Sequence, residues 1–315
     1  MAELKNEFAW SKSRDGTLQE CPRQYYFRYY GGWGGWKVGA PERTRRLYVL
    51  GKLQTRAMWA GSTVHGCVER TLRNLRRGID VLNPEKIARL AIGQMRAGYR
   101  SSREGKYRDN PKSCALFEHE YGLAVSDEQW RQTARDVEAC LHTFYTSDLF
   151  ARLRALSRDA WLEVEEFSSF MLDGVKVWAV IDCSFRDGAL VDIYDWKTGR
   201  REAEESTVQL KCYALYAHAT WGVSFENVRV AEYYLLNNHV RDHRVTEGDV
   251  EDARAYIRGS VEDMRSLLVD VTHNEPLAER AFEKTDDTRR CRRCNFVGAC
   301  RPEVAEALRA VPQAR

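Results

Sequence analysis

Two aspartates and a lysine carry the clearest chemistry in this sequence. Asp182 lies in the apolar run 175–185, and Asp195 and Lys197 lie in the next apolar run, VDIYDWK. A carboxylate in apolar surroundings is costly unless a cation or hydrogen-bond donors compensate it. Oxygen ligands of this kind suit hard divalent cations such as Mg²⁺. The alternative is an exposed sheet face on which these side chains are solvated or pair with each other.

The turn signal Asp187-Gly188 predicts that the two runs form an antiparallel hairpin. If these are the two central residues of the turn, Asp182 lies opposite Ile193. Because side chains alternate between the faces of a strand, Asp182 then shares a face with Asp195 and Lys197. The diagonal from Asp182 to Asp195 spans roughly 7 to 8 Å between Cα atoms. Two carboxylates so placed repel each other unless a metal ion bridges them.

A second metal site is indicated by cysteine spacing near the end of the chain. Nine cysteines and no secretory segment predict reduced thiols. Cys291, Cys294 and Cys300 form C-x2-C-x5-C, a spacing typical of metal ligands, and Cys21 before Pro22 is the best candidate for the fourth ligand. Zinc and an iron-sulfur cluster both satisfy this spacing. The alternative is a chance grouping of thiols.

Composition excludes several classes of protein. The 315 residues are 43% apolar and 30% charged, with a mean hydropathy of -0.56, which suits a globular protein with a buried core. No stretch approaches the roughly 20 apolar residues of a spanning helix, and the first residues lack the apolar segment of a signal peptide. We therefore expect a cytoplasmic protein with no membrane partner.

The basic residues are mostly arginines that occur in clusters. The net charge is only +3, but 38 of the 49 basic residues are arginine. The clusters lie at residues 43–46, 70–77, 200–201 and 289–293. Because the guanidinium fork matches phosphate oxygens, these clusters could contact a nucleic-acid backbone. Solvated helix faces are the alternative.

The elements that position these residues follow from hydrophobic periodicity. Helical spacing predicts a helix over 53–77, with Ser62 available as a cap and Gly78 as its stop. Strands are predicted at 160–170, 174–185, 189–197 and 228–236, and further helices at about 207–220 and 249–268. Strands flanked by helices indicate an α/β fold with a mixed central β-sheet.

Five segments are predicted along the chain. They are an N-terminal segment with the first ligand cysteine (1–52), a helix segment with a histidine (53–83), a helical insertion (84–158), the sheet-containing core (159–270) and a C-terminal cysteine region (271–315).

The hairpin run IDCSFRDGALVDIYDWKTG resembles motifs two and three of the PD-(D/E)XK nuclease superfamily, in its RecB-like branch. Asp182 matches the acid of motif two, and Asp195 with Lys197 match the D-x-K of motif three. The run GSTVH resembles the helical G-x-x-x-H of that branch, whose histidine, here His65, is a metal ligand. The resemblance implies a restriction-endonuclease-like core.

Further motifs occur in the order that the branch shows. Gln209 and Tyr213 match its Q-x-x-x-Y, one helical turn apart and on one face. The four cysteines resemble the iron-sulfur variety of the branch, which includes AddB-type nuclease domains and CRISPR-associated RecB-like exonucleases. That likeness implies a 4Fe-4S cluster on Cys21, Cys291, Cys294 and Cys300, with zinc as the alternative.

The resemblance also implies roles for the other matched residues. His65, Asp182, Asp195 and the main-chain carbonyl of Trp196 would hold one or two Mg²⁺ or Mn²⁺ ions. Lys197 would orient the attacking water or help to deprotonate it. Gln209 and Tyr213 would position that lysine or a substrate phosphate.

Three functions are consistent with these features. The first is a metal-dependent DNA exonuclease that acts on single strands or DNA ends in recombination, repair or phage DNA metabolism, with a helicase or recombination partner. The second is a CRISPR adaptation nuclease that trims DNA with an integrase partner. The third is a non-catalytic nucleic-acid scaffold. The basic and aromatic segment at 23–37 could stack unpaired bases, or its aromatic rings could pack in the core.

Overall fold

A computed structural model of the chain describes residues 4–200 and 208–310. Some predictions fall outside these ranges. They concern residue 201 of the third arginine cluster, the predicted helix start at 207 and the outermost residues of the first and last segments. The described α-helices are α1 (Lys12–Glu20), α2 (Pro22–Tyr26), α3 (Glu42–Leu50), α4 (Arg56–Arg76), α5 (Pro84–Arg103), α6 (Phe117–Glu120), α7 (Asp127–Thr146), α8 (Asp148–Ala155), α9 (Val208–Trp221), α10 (Glu247–Ser266), α11 (Thr288–Cys291), α12 (Val297–Cys300) and α13 (Pro302–Ala310). No described helix is both long and apolar enough to cross a bilayer.

The strands form one four-stranded sheet and two smaller ladders. They are β1 (Glu166–Leu172), β2 (Val175–Ile181), β3 (Cys183–Asp187), β4 (Leu190–Lys197), β5 (Val228–Tyr234), β6 (His239–Arg244), β7 (Leu268–Asp270) and β8 (Glu275–Pro276). The larger sheet has the order β3-β4-β5-β6, with β4 and β5 parallel and both outer pairs antiparallel. The predicted α/β class with a mixed central sheet is therefore confirmed.

The chain forms two compact units, each built from non-contiguous segments. The terminal unit comprises Met1–Arg56, Arg96–Gln129 and Arg258–Arg315. The sheet unit comprises Ala57–Met95 and Trp130–Ile257 and contains β1 to β6.

The hairpin of β3 and β4 differs from its predicted register by one pair. Asp187 pairs with Leu190, so the two turn residues are Gly188 and Ala189 rather than Asp187 and Gly188. Gly188 has a φ of +62°, the conformation that a type II′ turn needs at its first central position. The predicted strand 174–185 is also interrupted at Asp182, which lies between β2 and β3.

The core of the sheet unit lies on one face of the large sheet. Aromatic side chains of β3, β4 and β5 pack there against buried residues of α4, α7 and α8. The aromatic members are Phe185, Tyr194, Trp196 and Tyr233. Helix α9 contacts β1, β2 and β5. Residues of β4 that alternate with this aromatic set, Asp195 among them, therefore point away from this core.

Helix α4 places a histidine beside the sheet. Val64, Val68 and Leu72 follow one another at four-residue spacing and are completely buried, which fixes the rotation of the helix. Gly78, with a φ of +70°, follows the helix end as predicted. The predicted cap Ser62 is wrong, because it lies inside the helix and its hydroxyl donates to the carbonyl of Trp59.

The terminal unit has its own apolar core. Phe27, Leu53, Tyr107 and Phe296 are among its most deeply buried members. In the aromatic segment at 23–37, Tyr25 is completely buried, whereas the Trp33 side chain is partly exposed. Core packing therefore accounts for the first part of that segment.

Candidate active site and cysteine pocket

Three side chains of the sheet unit converge on one point. Ligand atoms of His65, Glu165 and Asp182 all lie within 4.8 Å of one another. The Nδ1 atom of His65 is 3.0 Å from Oε1 of Glu165 and 3.4 Å from Oδ1 of Asp182. A nitrogen and carboxylate oxygens at these separations form a donor set that a divalent cation can use.

The break between β2 and β3 positions Asp182. Its Oδ2 accepts a hydrogen bond of 2.6 Å from the backbone N–H of Trp196 on β4. The carbonyl of the same Trp196 lies 3.1 Å from Nε2 of His65. One peptide segment of β4 therefore fixes both the aspartate and the histidine, and it presents the carbonyl that the sequence predicts as a ligand.

Asp195 is held from the opposite side by helix α9. Its Oδ1 accepts hydrogen bonds of 3.1 Å from Gln209 Nε2 and 3.1 Å from the Tyr213 hydroxyl. That hydroxyl also lies 2.8 Å from the carbonyl of Val180 on β2 and accepts from Gln209. The structure thus brings Gln209 and Tyr213 onto an acid of the site, with Tyr213 linking α9 to two strands.

Lys197 forms an ion pair with Oδ2 of Asp195. Its ammonium also lies 3.7 Å from Oε1 of Glu232, which is completely buried on the neighbouring strand β5. The other oxygen of Glu232 lies 3.1 Å from Nε2 of His243 and accepts a hydrogen bond of 3.1 Å from Tyr234. Two carboxylates therefore hold the lysine beside the site.

The electrostatics of the site are dominated by burial and by its own charges. Burial disfavours the protonated ring of His65, but hydrogen bonds and the charges of Asp182 and Glu165 outweigh burial and raise its pKa to about 11. Burial and the charge of Asp195 raise the pKa of Asp182 to about 7, although His65 opposes this. Without a cation, the site therefore retains protons.

The outer groups of the site have shifted pKa values too. Burial lowers the pKa of Lys197, but the carboxylates of Asp195 and Glu232 outweigh burial, so the net shift is upward. Burial raises the pKa of Tyr213 well above its usual value, and the Asp195 charge adds to this. At neutral pH the lysine is a cation and the tyrosine a neutral hydrogen-bond donor.

Glu165 is the site residue that the sequence reasoning missed. It lies just before β1 with a φ of +49°, and its N–H donates to the carbonyl of Ile181. This geometry turns its carboxylate towards His65. A signal existed in the run WLEVEEF, where acids interrupt an apolar segment as Asp195 does in its own strand.

The residues present fit a hard divalent cation. Carboxylates of Asp182 and Glu165, the imidazole of His65 and the main-chain carbonyl of Trp196 surround a small region. Asp195 lies outside the 4.8 Å set, with its oxygens bonded to α9 and Lys197, but it is near enough for its charge to raise the pKa of Asp182. Such a donor set matches Mg²⁺ or Mn²⁺, and the imidazole favours Mn²⁺. A cation there would neutralise the repulsion that raises the pKa of Asp182.

The four cysteines of the terminal unit line one pocket. Cys21 contributes from the residue before α2, Cys291 from α11, Cys300 from α12 and Cys294 from the turn between those two helices. The pocket wall also includes Phe27 and Phe296 and the basic side chains Lys284, Arg290 and Arg301. The structure therefore brings all four predicted ligands together across the length of the chain.

The surroundings of these thiols make free thiolates costly. Burial raises the pKa of Cys294 to about 12, and charges on Cys21, Cys300 and Cys291 add to the rise. Thiolates in such a pocket need a metal centre for compensation.

Fold and site together define a restriction-endonuclease-like α/β protein with a candidate divalent-metal centre. The sequence model of the PD-(D/E)XK nuclease superfamily matches residues 9–301 of the chain. The chain therefore belongs to this superfamily. Membership implies metal-dependent nuclease activity, with divalent ions such as Mg²⁺ or Mn²⁺. No curated protein matches the chain.

Proposed function

We propose that this protein is a metal-dependent DNA exonuclease that acts on single strands or on DNA ends. The proposal is supported by two neighbouring pairs, His65 with Asp182 and Lys197 with Asp195, whose charges interact and whose acids are fixed by hydrogen bonds. Action at ends and on DNA follows the likeness to the RecB-like branch. A scaffold without activity would have no need of a lysine held beside a metal-binding set.

The bound cation would be held by His65, Asp182, Asp195 and the carbonyl of Trp196, together with Glu165. When bound, it polarises a phosphodiester and stabilises the charge that grows on the phosphate oxygens. The chain contributes the fixed geometry, because Asp182 is hydrogen-bonded to the peptide of Trp196 and cannot turn away without losing that bond.

Lys197 supplies a cation with donor hydrogens at the edge of this site. Its raised pKa keeps it protonated at neutral pH, so it orients a water molecule or a phosphate oxygen by donating hydrogen bonds. Asp195 is shared between Lys197 and the Gln209–Tyr213 pair, so the helix α9 residues position the lysine through the acid.

The four cysteines would hold a structural 4Fe-4S cluster. Support comes from their shared pocket and from its basic side chains, which offset the negative charge of such a cluster. This cluster would tie the start of the terminal unit to its end.

The test is a cleavage assay on linear and closed circular single-stranded DNA with Mn²⁺ or Mg²⁺. Substrates labelled at either end give the polarity. We expect degradation of the linear strand only, complete inhibition by EDTA, and loss of cleavage in Lys197→Ala with its fold and Mn²⁺ binding retained. Lys86→Ala, on the exposed side of α5, is the matched control and cleaves normally. Cleavage by Lys197→Ala overturns the assignment, and cleavage of the circle overturns the exonuclease.

A further inference from the structure

Four arginines of the sheet unit line a groove at the end of helix α4. Arg73, Arg76 and Arg77 come from the last turn of the helix and the residue after it, and Arg158 comes from the segment that follows α8. The fifth lining residue is Glu166, at the start of β1. We call these five residues the arginine groove.

Two of the arginines are fixed by ion pairs. Arg73 pairs with Glu69 one turn earlier at 3.0 Å, and Arg76 pairs with Glu166. Arg73 also donates a hydrogen bond of 3.1 Å to the carbonyl of Glu165. These contacts hold the wall of the groove in place and neutralise Glu166, the one acid that lines it.

The other two arginines carry charge that no carboxylate in the described part of the chain balances. Arg77 is exposed and makes no side-chain ion pair there. Arg158 is also exposed, and its Nη2 donates to the carbonyl of Arg77 at the end of the helix. Two guanidinium groups thus face one groove with unused donors, and the guanidinium fork matches phosphate oxygens.

The groove is connected directly to the candidate metal centre. Its Arg73 is hydrogen-bonded to the backbone of Glu165, whose carboxylate contacts His65. Along α4, eight residues separate His65 from Arg73 and twelve separate it from Arg77, which corresponds to roughly 12 to 18 Å.

We propose that the arginine groove binds the phosphate backbone of the DNA strand whose bond the metal centre cleaves, several nucleotides from that bond. This inference rests on the proposed function. Arg77 and Arg158 contact the phosphate, and Arg73 and Arg76 shape the groove. Because phosphates carry no sequence information, the contact positions the strand without selecting a sequence.

A purely structural role explains Arg158 in part, but it does not explain Arg77. The Arg158 guanidinium caps a helix carbonyl, where a positive charge is favourable. The exposed Arg77 side chain makes no hydrogen bond or ion pair within the described part of the chain, so its replacement tests the groove directly. Arg77→Gln is therefore the main variant, and Arg77→Lys restores the charge.

The experiment measures binding of a labelled oligodeoxynucleotide in EDTA by fluorescence anisotropy, over a range of salt concentrations. Loss of one phosphate contact weakens binding about fivefold near 0.1 M salt and lowers the salt slope by about 0.7 for a single strand. We expect this of Arg77→Gln, with most of the affinity recovered in Arg77→Lys. Arg89→Gln, an exposed arginine of α5, is the control and binds like the natural protein.

A second measurement separates this inference from the proposed function. Hydrolysis of bis(p-nitrophenyl) phosphate with Mn²⁺ requires the metal centre, but this small substrate does not extend to the arginine groove. Arg77→Gln therefore leaves the rate of this hydrolysis unchanged. Equal affinity and salt slope in Arg77→Gln and Arg89→Gln overturn the groove, whether or not DNA is cleaved. Weaker binding by Arg77→Gln in a protein that hydrolyses neither substrate supports the groove and contradicts the nuclease.

Discussion

His65 lies between three acceptors, and this arrangement determines its protonation. Its Nδ1 faces the carboxylates of Glu165 and Asp182, and its Nε2 faces the carbonyl of Trp196. While both carboxylates are ionised, neither side offers a donor, so both ring nitrogens must carry a hydrogen to satisfy their neighbours. A metal ion needs the lone pair of one of those nitrogens, so metal binding must displace a proton from the ring.

Metal binding at this site is therefore expected to depend strongly on pH. With the pKa of His65 raised to about 11, the ring is protonated throughout the neutral range, and about one proton is released for each ion bound. Below about pH 7, Asp182 is also protonated, so a second proton is displaced. The logarithm of Mn²⁺ affinity should rise with pH by about one per unit above pH 7 and more steeply below it.

Calorimetry in buffers of different ionisation enthalpy measures this proton release. His65→Gln removes the titrating ring and should abolish the release above pH 7, whereas His142→Gln, on an exposed part of α7, should keep it. The same shifts predict that the metal-free protein loses stability as pH rises. Protonated His65 and Asp182 are favoured by folding, so their contribution is complete below their unfolded pKa values and is lost as pH rises through the folded ones. Metal affinity independent of pH would contradict the assignment of His65 as a ligand.

At the scale of elements, one turn of α9 connects this helix to Asp195 on β4 and to the backbone of β2. Gln209 and Tyr213 lie four residues apart and both reach Asp195, and Tyr213 also reaches Val180 on β2. The hydroxyl is buried, so its removal leaves the carbonyl of Val180 without this partner. The same bond network thus contributes to stability and to the position of Asp195.

Tyr213→Phe should lower both stability and cleavage. Loss of a buried hydrogen bond costs about 1 to 3 kcal/mol, which urea unfolding can measure. Freed on one side, Asp195 orients Lys197 less precisely, so the cleavage rate should fall as well. Tyr145→Phe is the matched control, because that hydroxyl is buried against Thr71 in the same unit. It should lose comparable stability and keep its activity; equal losses of activity in both variants would contradict a positioning role for Tyr213.

Much of the sheet could be predicted from the sequence because strand patterns are local. The turn at Asp173-Gly174 has positive φ at both residues, as a type I′ turn requires. The second turn is displaced by one residue, which moves the partner of each β3 residue by two positions along β4. Because side chains alternate between faces with a period of two, the β3 residues keep their predicted faces. Asp182 lies in the break before β3, outside this ladder, and local strand patterns did not predict that break.

What the sequence did not predict depends on distant or weak signals. The edge strand β6 has the polar sequence HVRDHR, which carries little hydrophobic alternation. Glu165 reaches His65 across a sequence separation of 100 residues. No local pattern encodes that contact, and the positive φ that turns the chain at Glu165 is adopted by a residue type that rarely favours it.

At the scale of the whole molecule, the terminal unit gathers residues from both ends of the chain. Cys21 meets Cys291, Cys294 and Cys300 at one pocket, so a metal cluster there would close a loop of roughly 270 residues. Closing a loop of that length removes about 5 kcal/mol of conformational entropy, expressed as free energy, from the unfolded chain. The cluster would therefore contribute to folding of the terminal unit as much as a large disulfide does.

Loss of one ligand should accordingly remove both the cluster and this stabilisation. We expect protein purified without oxygen to be brown, with about four irons and four sulfides per chain. Cys21→Ala and Cys294→Ala should lose the colour and unfold at lower temperature. Cys114→Ala, a half-buried cysteine of the same unit outside the pocket, should keep both. Iron analysis, visible absorbance and thermal melting measure the three effects. One zinc per chain in colourless, stable protein would contradict the cluster but keep the loop closure, whereas unchanged melting of Cys21→Ala would contradict a structural metal of any kind.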